Sequence, residues 1–177
     1  MFRFYPPFLI ALIALGTPSL ASAQDRQEWH DQLIQRVARN SWDGADAAYV
    51  GLLETAGTAT PDEHLLGAKA SLALGNINDA AARLEGADDT DAEVIKELTR
   101  LRERYAAAKL KASGGRNAAS LVARDNPIDS AERRTVELAG KALQSEGKYR
   151  GLLPIGRYRL GETEFEVVAG QTAKAKP

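Results

Sequence analysis

Residues 40–52 and 75–87 carry one pattern twice, 35 positions apart. Each window opens on a turn residue (Asn40, Gly75) and places a bulky apolar residue two positions on (Trp42, Ile77). Small or apolar residues then follow at Ala45 and Ala80, Tyr49 and Leu84, and Leu52 and Ala87. These spacings describe a turn leading into an amphipathic helix. A helix pair of this period cannot bury its apolar face alone, so recurrence predicts stacked pairs. Arrays of that kind bind other chains far more often than they carry out chemistry.

Residues 1–23 stand apart. Arg3 supplies a positive charge, residues 8–15 are apolar, and Ala21, Ser22 and Ala23 form a small-x-small site before Gln24. This is the layout of a secretory signal peptide, so an exported chain is expected, periplasmic if the source is Gram-negative. The apolar run is far below the ~20 residues a spanning helix requires, so stable membrane insertion after cleavage is not expected. The remaining 154 residues hold 22 Lys and Arg against 24 Asp and Glu, interspersed. No basic cluster stands out along the chain, so no nucleic-acid partner is expected. The absence of cysteine removes disulfides and thiolate metal sites, leaving packing as the source of stability.

The expected organisation is a helical-repeat domain over 24–146, a β-hairpin packed on it over 147–170, and a flexible tail over 171–177. Trp29, Leu33, Ile34 and Val37 mark the first helix, and the two matching windows supply the second and fourth. Thr60, Pro61 and Glu63 form a capping box for the third, whose apolar side runs from Leu65 to Ala73. Asp91 opens a fifth helix expected to continue to about Ala112, with Val94, Leu98, Leu101, Tyr105 and Ala108 as its seam. A short helix is expected over 118–124. Asp129 and Glu132 then start another, with Val136, Ala139, Ala142 and Leu143 inside.

Near the C-terminus the period changes to two. Gly161 and Glu162 suit a two-residue hairpin loop, which pairs Leu160 with Thr163, Arg159 with Glu164, Tyr158 with Phe165 and Arg157 with Glu166. One face then carries Tyr158, Leu160, Phe165 and Val167, and the other two Arg–Glu cross-strand pairs. An isolated hairpin is marginal in water, so its apolar face is expected to cover Val136, Ala139 and Leu143. Its free strand edges would remain open to a partner or a second copy.

At the paired windows the chain resembles the tetratricopeptide repeats. That family's second-helix pattern of turn, bulky residue, alanine and large apolar residue is met at Gly75, Ile77, Ala80, Leu84 and Ala87, and in the first copy at Asn40, Trp42, Ala45, Tyr49 and Leu52. Trp29 falls where the family has its first-helix tryptophan, and Ala68 at its small position. Leu33, His64 and Arg102 depart from the pattern. The resemblance covers residues 26–125 and implies a mainly α fold, a TPR-like solenoid of antiparallel helix pairs with a concave face for peptide segments. The family's inward first-helix positions fall on His30, Ile34, Lys69, Leu72 and Glu103. A weaker likeness, at residues 153–160 and 168–172, is to the closing strands of small envelope β-domains.

Chemistry finds few footholds. His30 and His64 are the only histidines and belong to different helices, and a metal or acid–base site needs more partners. Asp88, Asp89, Asp91 and Glu93 lack the mid-loop glycine and closing glutamate of a calcium loop and suit a helix start. Gly114, Gly115 and Arg116 lack the context of a phosphate-binding loop. No enzymatic activity, cofactor or metal is expected. The expected role is a protein–protein interaction module or accessory subunit of the cell envelope. The alternatives are a self-associating scaffold or, less favoured, a motifless enzyme or small-ligand carrier.

Overall fold

The computed structural model describes residues 20–112, 120–125 and 129–176. Its first half is helical: α1 (Leu20–Ala38), α2 (Trp42–Ala56), α3 (Pro61–Leu74), α4 (Ile77–Glu85) and α5 (Ala92–Arg104). The remainder mixes six strands with one helix: β1 (Tyr105–Lys111), β2 (Leu121–Ala123), α6 (Ser130–Glu146), β3 (Lys148–Pro154), β4 (Gly156–Leu160), β5 (Thr163–Val167) and β6 (Ala173–Ala175). The chain is therefore mainly α with a C-terminal strand region.

The sequence duplication is matched by a duplication of backbone geometry. Asn40 and Gly75 both take left-handed backbone, φ 53° and 74°. The Asn40 N–H donates to Val37 O at 3.0 Å and the Gly75 N–H to Leu72 O at 3.1 Å. One residue on, Ser41 N–H reaches Arg36 O at 2.9 Å and Asn76 N–H reaches Ser71 O at 2.8 Å. These are two copies of one helix-ending motif, each satisfying carbonyls the helix leaves open. Ala45 and Ala80 beneath the turns are both fully buried, which lets the following helix approach closely. The capping box on α3 forms as expected: Glu63 N–H donates to Thr60 Oγ1 at 3.3 Å and Thr60 N–H to Glu63 Oε2 at 2.6 Å.

The third counterpart of that turn, Leu110, lies in a strand, so the duplication stops after two pairs. The fifth helix does not run to Ala112; it ends at Arg104, and Tyr105 is extended at φ −131°, ψ 148°. The physical reason is long-range pairing. All seven residues of β1 pair antiparallel with β3, and Ala108, Lys109 and Leu110 also pair parallel with β6. These ladders outweigh the helix preference of three consecutive alanines. β1 contributes to two apolar cores. Tyr105 packs with Ile77, Leu84, Val94 and Leu101 of the helical half. Ala106, Ala108 and Leu110 turn to the opposite face and join Ala139 and Leu143 of α6.

Two further expectations change for the same reason. Residues 121–123 are a strand paired with β4, while 118 and 119 lie outside the described residues. The tail is held: Ala173 and Ala175 are buried, and β6 forms one edge of the β3-β1-β6 sheet. The hairpin itself has the expected register throughout, with Gly161 at φ 59° in its loop. It is the β4-β5 part of a second sheet, ordered β2-β4-β5. Tyr158, Leu160 and Val167 share one apolar cluster with Ala139 and Leu143, with Val136 and Phe165 packed against it. The hairpin is confined to 156–167 and does not span 147–170, because 148–154 pair with β1 in the other sheet, and its apolar face shares one core with α6. The outer-face charges pair elsewhere: Arg157 with Asp125 at 2.9 Å and Glu164 with Arg124 at 3.1 Å.

Candidate interaction surfaces

The helical half is tied together by charge as well as by apolar packing. Glu63, with a nearly fully buried side chain, accepts from Arg26 Nη2 at 2.9 Å and bonds His30 Nδ1 at 2.8 Å, joining α3 to α1. Burial alone would raise its carboxyl. The Thr60 N–H, His30, the Thr60 hydroxyl and Arg26 outweigh that cost and hold it below the usual range. Lys69 Nζ meets Glu93 Oε2 at 3.0 Å, joining α3 to α5. Across the second helices, Arg83 Nη1 meets Asp46 Oδ1 at 2.7 Å and its guanidinium lies 4.2 Å from the Tyr49 ring centre.

The five positions expected to line a groove are placed differently from one another. His30 and Lys69 are half-buried and engaged in these interhelical pairs. Ile34 is 45% exposed on α1, and Glu103 is exposed on α5. Leu72 packs against the α3–α4–α5 core. Among the described residues, no hydrogen bond or ion pair joins any two of the five, although His30 with Ile34 and Lys69 with Leu72 stand one helical turn apart.

The joint between the halves uses residues that no motif marks. Asn78 Oδ1 accepts the Leu152 N–H at 2.6 Å, and its Nδ2 donates to the Tyr149 hydroxyl at 3.0 Å. That hydroxyl donates in turn to Leu152 O at 2.6 Å. A helix side chain here takes the place a further strand would take along β3, which closes part of that sheet edge. Gly151 makes room for it: a Cβ there would stand 2.6 Å from Asn78 Oδ1 and 2.7 Å from the Tyr149 hydroxyl. Beside this, Arg104 bridges Asp129 and Glu132, the latter at 2.7 Å. Burial would raise the Asp129 carboxyl, but the Glu132 N–H and Arg104 hold it low. Tyr105 is pushed up to about 12, first by burial and then by the charge of Asp129.

The third surface is the outer face of the β3-β1-β6 sheet. Alternation turns Lys109 and Lys111 of β1, Lys148 and Arg150 of β3, and Lys174 of β6 outward, all exposed. The register sets Lys111 opposite Lys148, and Lys109 between Arg150 and Lys174. Basic residues that look dispersed along the chain are thus gathered in space. The available signal is a period-two cation pair that occurs at 109–111, 148–150 and 174–176, each around one apolar residue.

Among the described residues, no three His, Asp or Glu side chains converge as a metal site requires, and no helix is long and apolar enough to cross a membrane. No family model, curated protein or solved structure matches this chain.

Proposed function

We propose that the protein is an exported binding module or accessory subunit of the cell envelope, acting by presenting surfaces and not by catalysis. The carrying observation is the pair of charge links from α3, through Glu63 to α1 and through Lys69 to Glu93 of α5. They link α3 to α1 on one side and to α5 on the other. This order supports reading one face of α1, α3 and α5 as a surface for an extended chain. The duplicated turns support the same reading, and the TPR-like resemblance supplies the expectation of a peptide occupant.

Export is compatible with the packing. The first α1 residue with a described side-chain partner on another helix is Arg26. Cleavage after Ala23 therefore leaves this network whole, and the mature chain should begin at Gln24. Intact-mass analysis of exported material tests that; retention of residues 1–23 contradicts it.

Partner binding is tested by capture from an envelope extract of the source cells, with Lys69→Glu and Glu103→Lys compared against the parent. The Lys69–Glu93 pair is partly exposed and contributes at most about 1 kcal/mol, so the melting temperature should barely change. Capture should fall with both variants. Unaltered capture by both places the binding surface elsewhere.

A further inference from the structure

We propose that the outer face of the β3-β1-β6 sheet docks on the phosphate headgroups of an anionic lipid bilayer. Lys109, Lys111, Lys148, Arg150 and Lys174 form a block three strands wide, and exposed Lys176 follows at its edge. With strands about 4.8 Å apart and alternate residues about 6.6 Å apart, the backbone positions of neighbouring cations lie within roughly one Debye length of each other at physiological salt. The cations therefore act as one field.

Like charges directly opposite on neighbouring strands destabilise a sheet, and here Lys111 faces Lys148 while Lys109 faces both Arg150 and Lys174. Among the described residues, carboxylates pair with Arg26, His30, Lys69, Arg83, Arg100, Arg104, Arg124, Lys141 and Arg157, and with none of these sheet cations. Glu146 borders a recess beside Lys111 and Lys148, but among the described residues it forms no ion pair with either. No ion pair among the described residues relieves this repulsion, which suits the face to an anionic surface outside the chain.

The shape of the block selects the occupant. An acidic peptide offers charges in a line, whereas these cations form a patch on a sheet face. Single-stranded nucleic acid calls for aromatic platforms, and the ring on this side of β1, Tyr105, is buried under the helices. Lysine predominates, a point charge without the fork that reads carboxylates in a fixed geometry. Recognition by charge density alone, across a broad face, fits a bilayer surface.

This inference does not depend on the helical face binding a protein. Near an anionic leaflet each cation strengthens attachment about fivefold. The test is co-sedimentation of the full chain with vesicles of phosphatidylcholine containing 30% phosphatidylglycerol, in parallel with phosphatidylcholine alone. The parent should bind the anionic vesicles, release them in half-molar salt and leave neutral vesicles unbound. K109Q/K111Q and K148Q/R150Q should each weaken binding about 25-fold, while the charge-matched K96Q/R102Q stays within about twofold. All six positions are exposed, and circular dichroism checks the fold. Removing Lys111 should also raise the melting temperature slightly, since it relieves Lys148. Equal binding by the sheet variants, equal binding to neutral vesicles, or binding of duplex DNA or polyglutamate with vesicles left unbound would overturn the proposal.

Discussion

The imidazole of His64 lies on the bare Cα of Gly86, so that a Cβ built there would stand 2.7 Å from both Cε1 and Nε2. At 35 residues' remove, the indole of Trp29 lies on Gly51 in the same way, 2.7 Å from a built Cβ to its Cε2. In each pair a ring from the first helix fills the notch of a glycine that follows in the chain. His64 departs from the tryptophan of the sequence pattern but occupies its slot, and adds a bond from Nδ1 to the Tyr49 hydroxyl at 2.8 Å. Gly86→Ala should therefore cost about 1–3 kcal/mol by overpacking. In a His64→Ala background the cost should vanish, a coupling that urea titration of the double-mutant cycle measures. Equal costs in both backgrounds would mean that the ring is not what Gly86 accommodates.

Asn78 holds the helical half to β3 through the Leu152 amide and the Tyr149 hydroxyl. Asn78→Ala leaves a partly buried N–H without that acceptor, at a cost of about 1–3 kcal/mol. Hydrogen exchange at Leu152 should accelerate more than at Tyr158 in the hairpin. Uniform acceleration would show that Asn78 stabilises the whole fold and not the joint.

Glu63 makes stability depend on pH in the acid range. Its folded carboxyl lies below the ordinary value of 4.5, so its contribution is present above that value and is lost as pH falls through the folded pKa. Unfolding free energy from urea titrations should therefore decline below about pH 4.5, and Glu63→Gln should flatten that part of the slope while lowering stability at pH 7. An unchanged slope in the variant would assign the acid dependence to other carboxylates.

Phe165 is half-buried and stacks on Tyr158, ring centres 5.5 Å apart at 21°. Phe165→Ala should cost about 2 kcal/mol, below the range for a fully enclosed ring. Leu160→Ala, at a fully buried position, should cost more, within about 2–5 kcal/mol. A Phe165→Ala loss below about 0.5 kcal/mol, the range of surface changes, would remove the hairpin from the folded core.

What the sequence discloses here is what local rules determine. The β4-β5 register follows from Gly161 and strict alternation, and the α3 start from three capping residues. The capping signals around Asp129 likewise mark where α6 begins. Partners far along the chain are not visible in this way. Residues 105–111 continue the spacing of α5 and include three alanines; only β3, more than thirty residues on, makes them a strand. Ala173 and Ala175 read as tail because three residues alternate too briefly, and β1 alone supplies their pairing. Each cation pair of the sheet face reads locally as a solubilising pattern, and its opposition to other cations exists only through register. The helical-face positions came from a repeat pattern, which locates helix faces but could not place Leu72 in the α3–α4–α5 core.

The proposed binding role is tested most directly by photo-crosslinking in the source cells from an exposed position at each end of the first-helix row. A photoreactive residue is placed at Ile34 or Glu103 of the full chain, with Asp89, exposed on the α4–α5 loop, as the control. Ile34 and Glu103 should yield the same discrete protein adduct, and Asp89 should not. No adduct from either row position, or the same adduct from all three, would contradict a partner chain held along α1, α3 and α5.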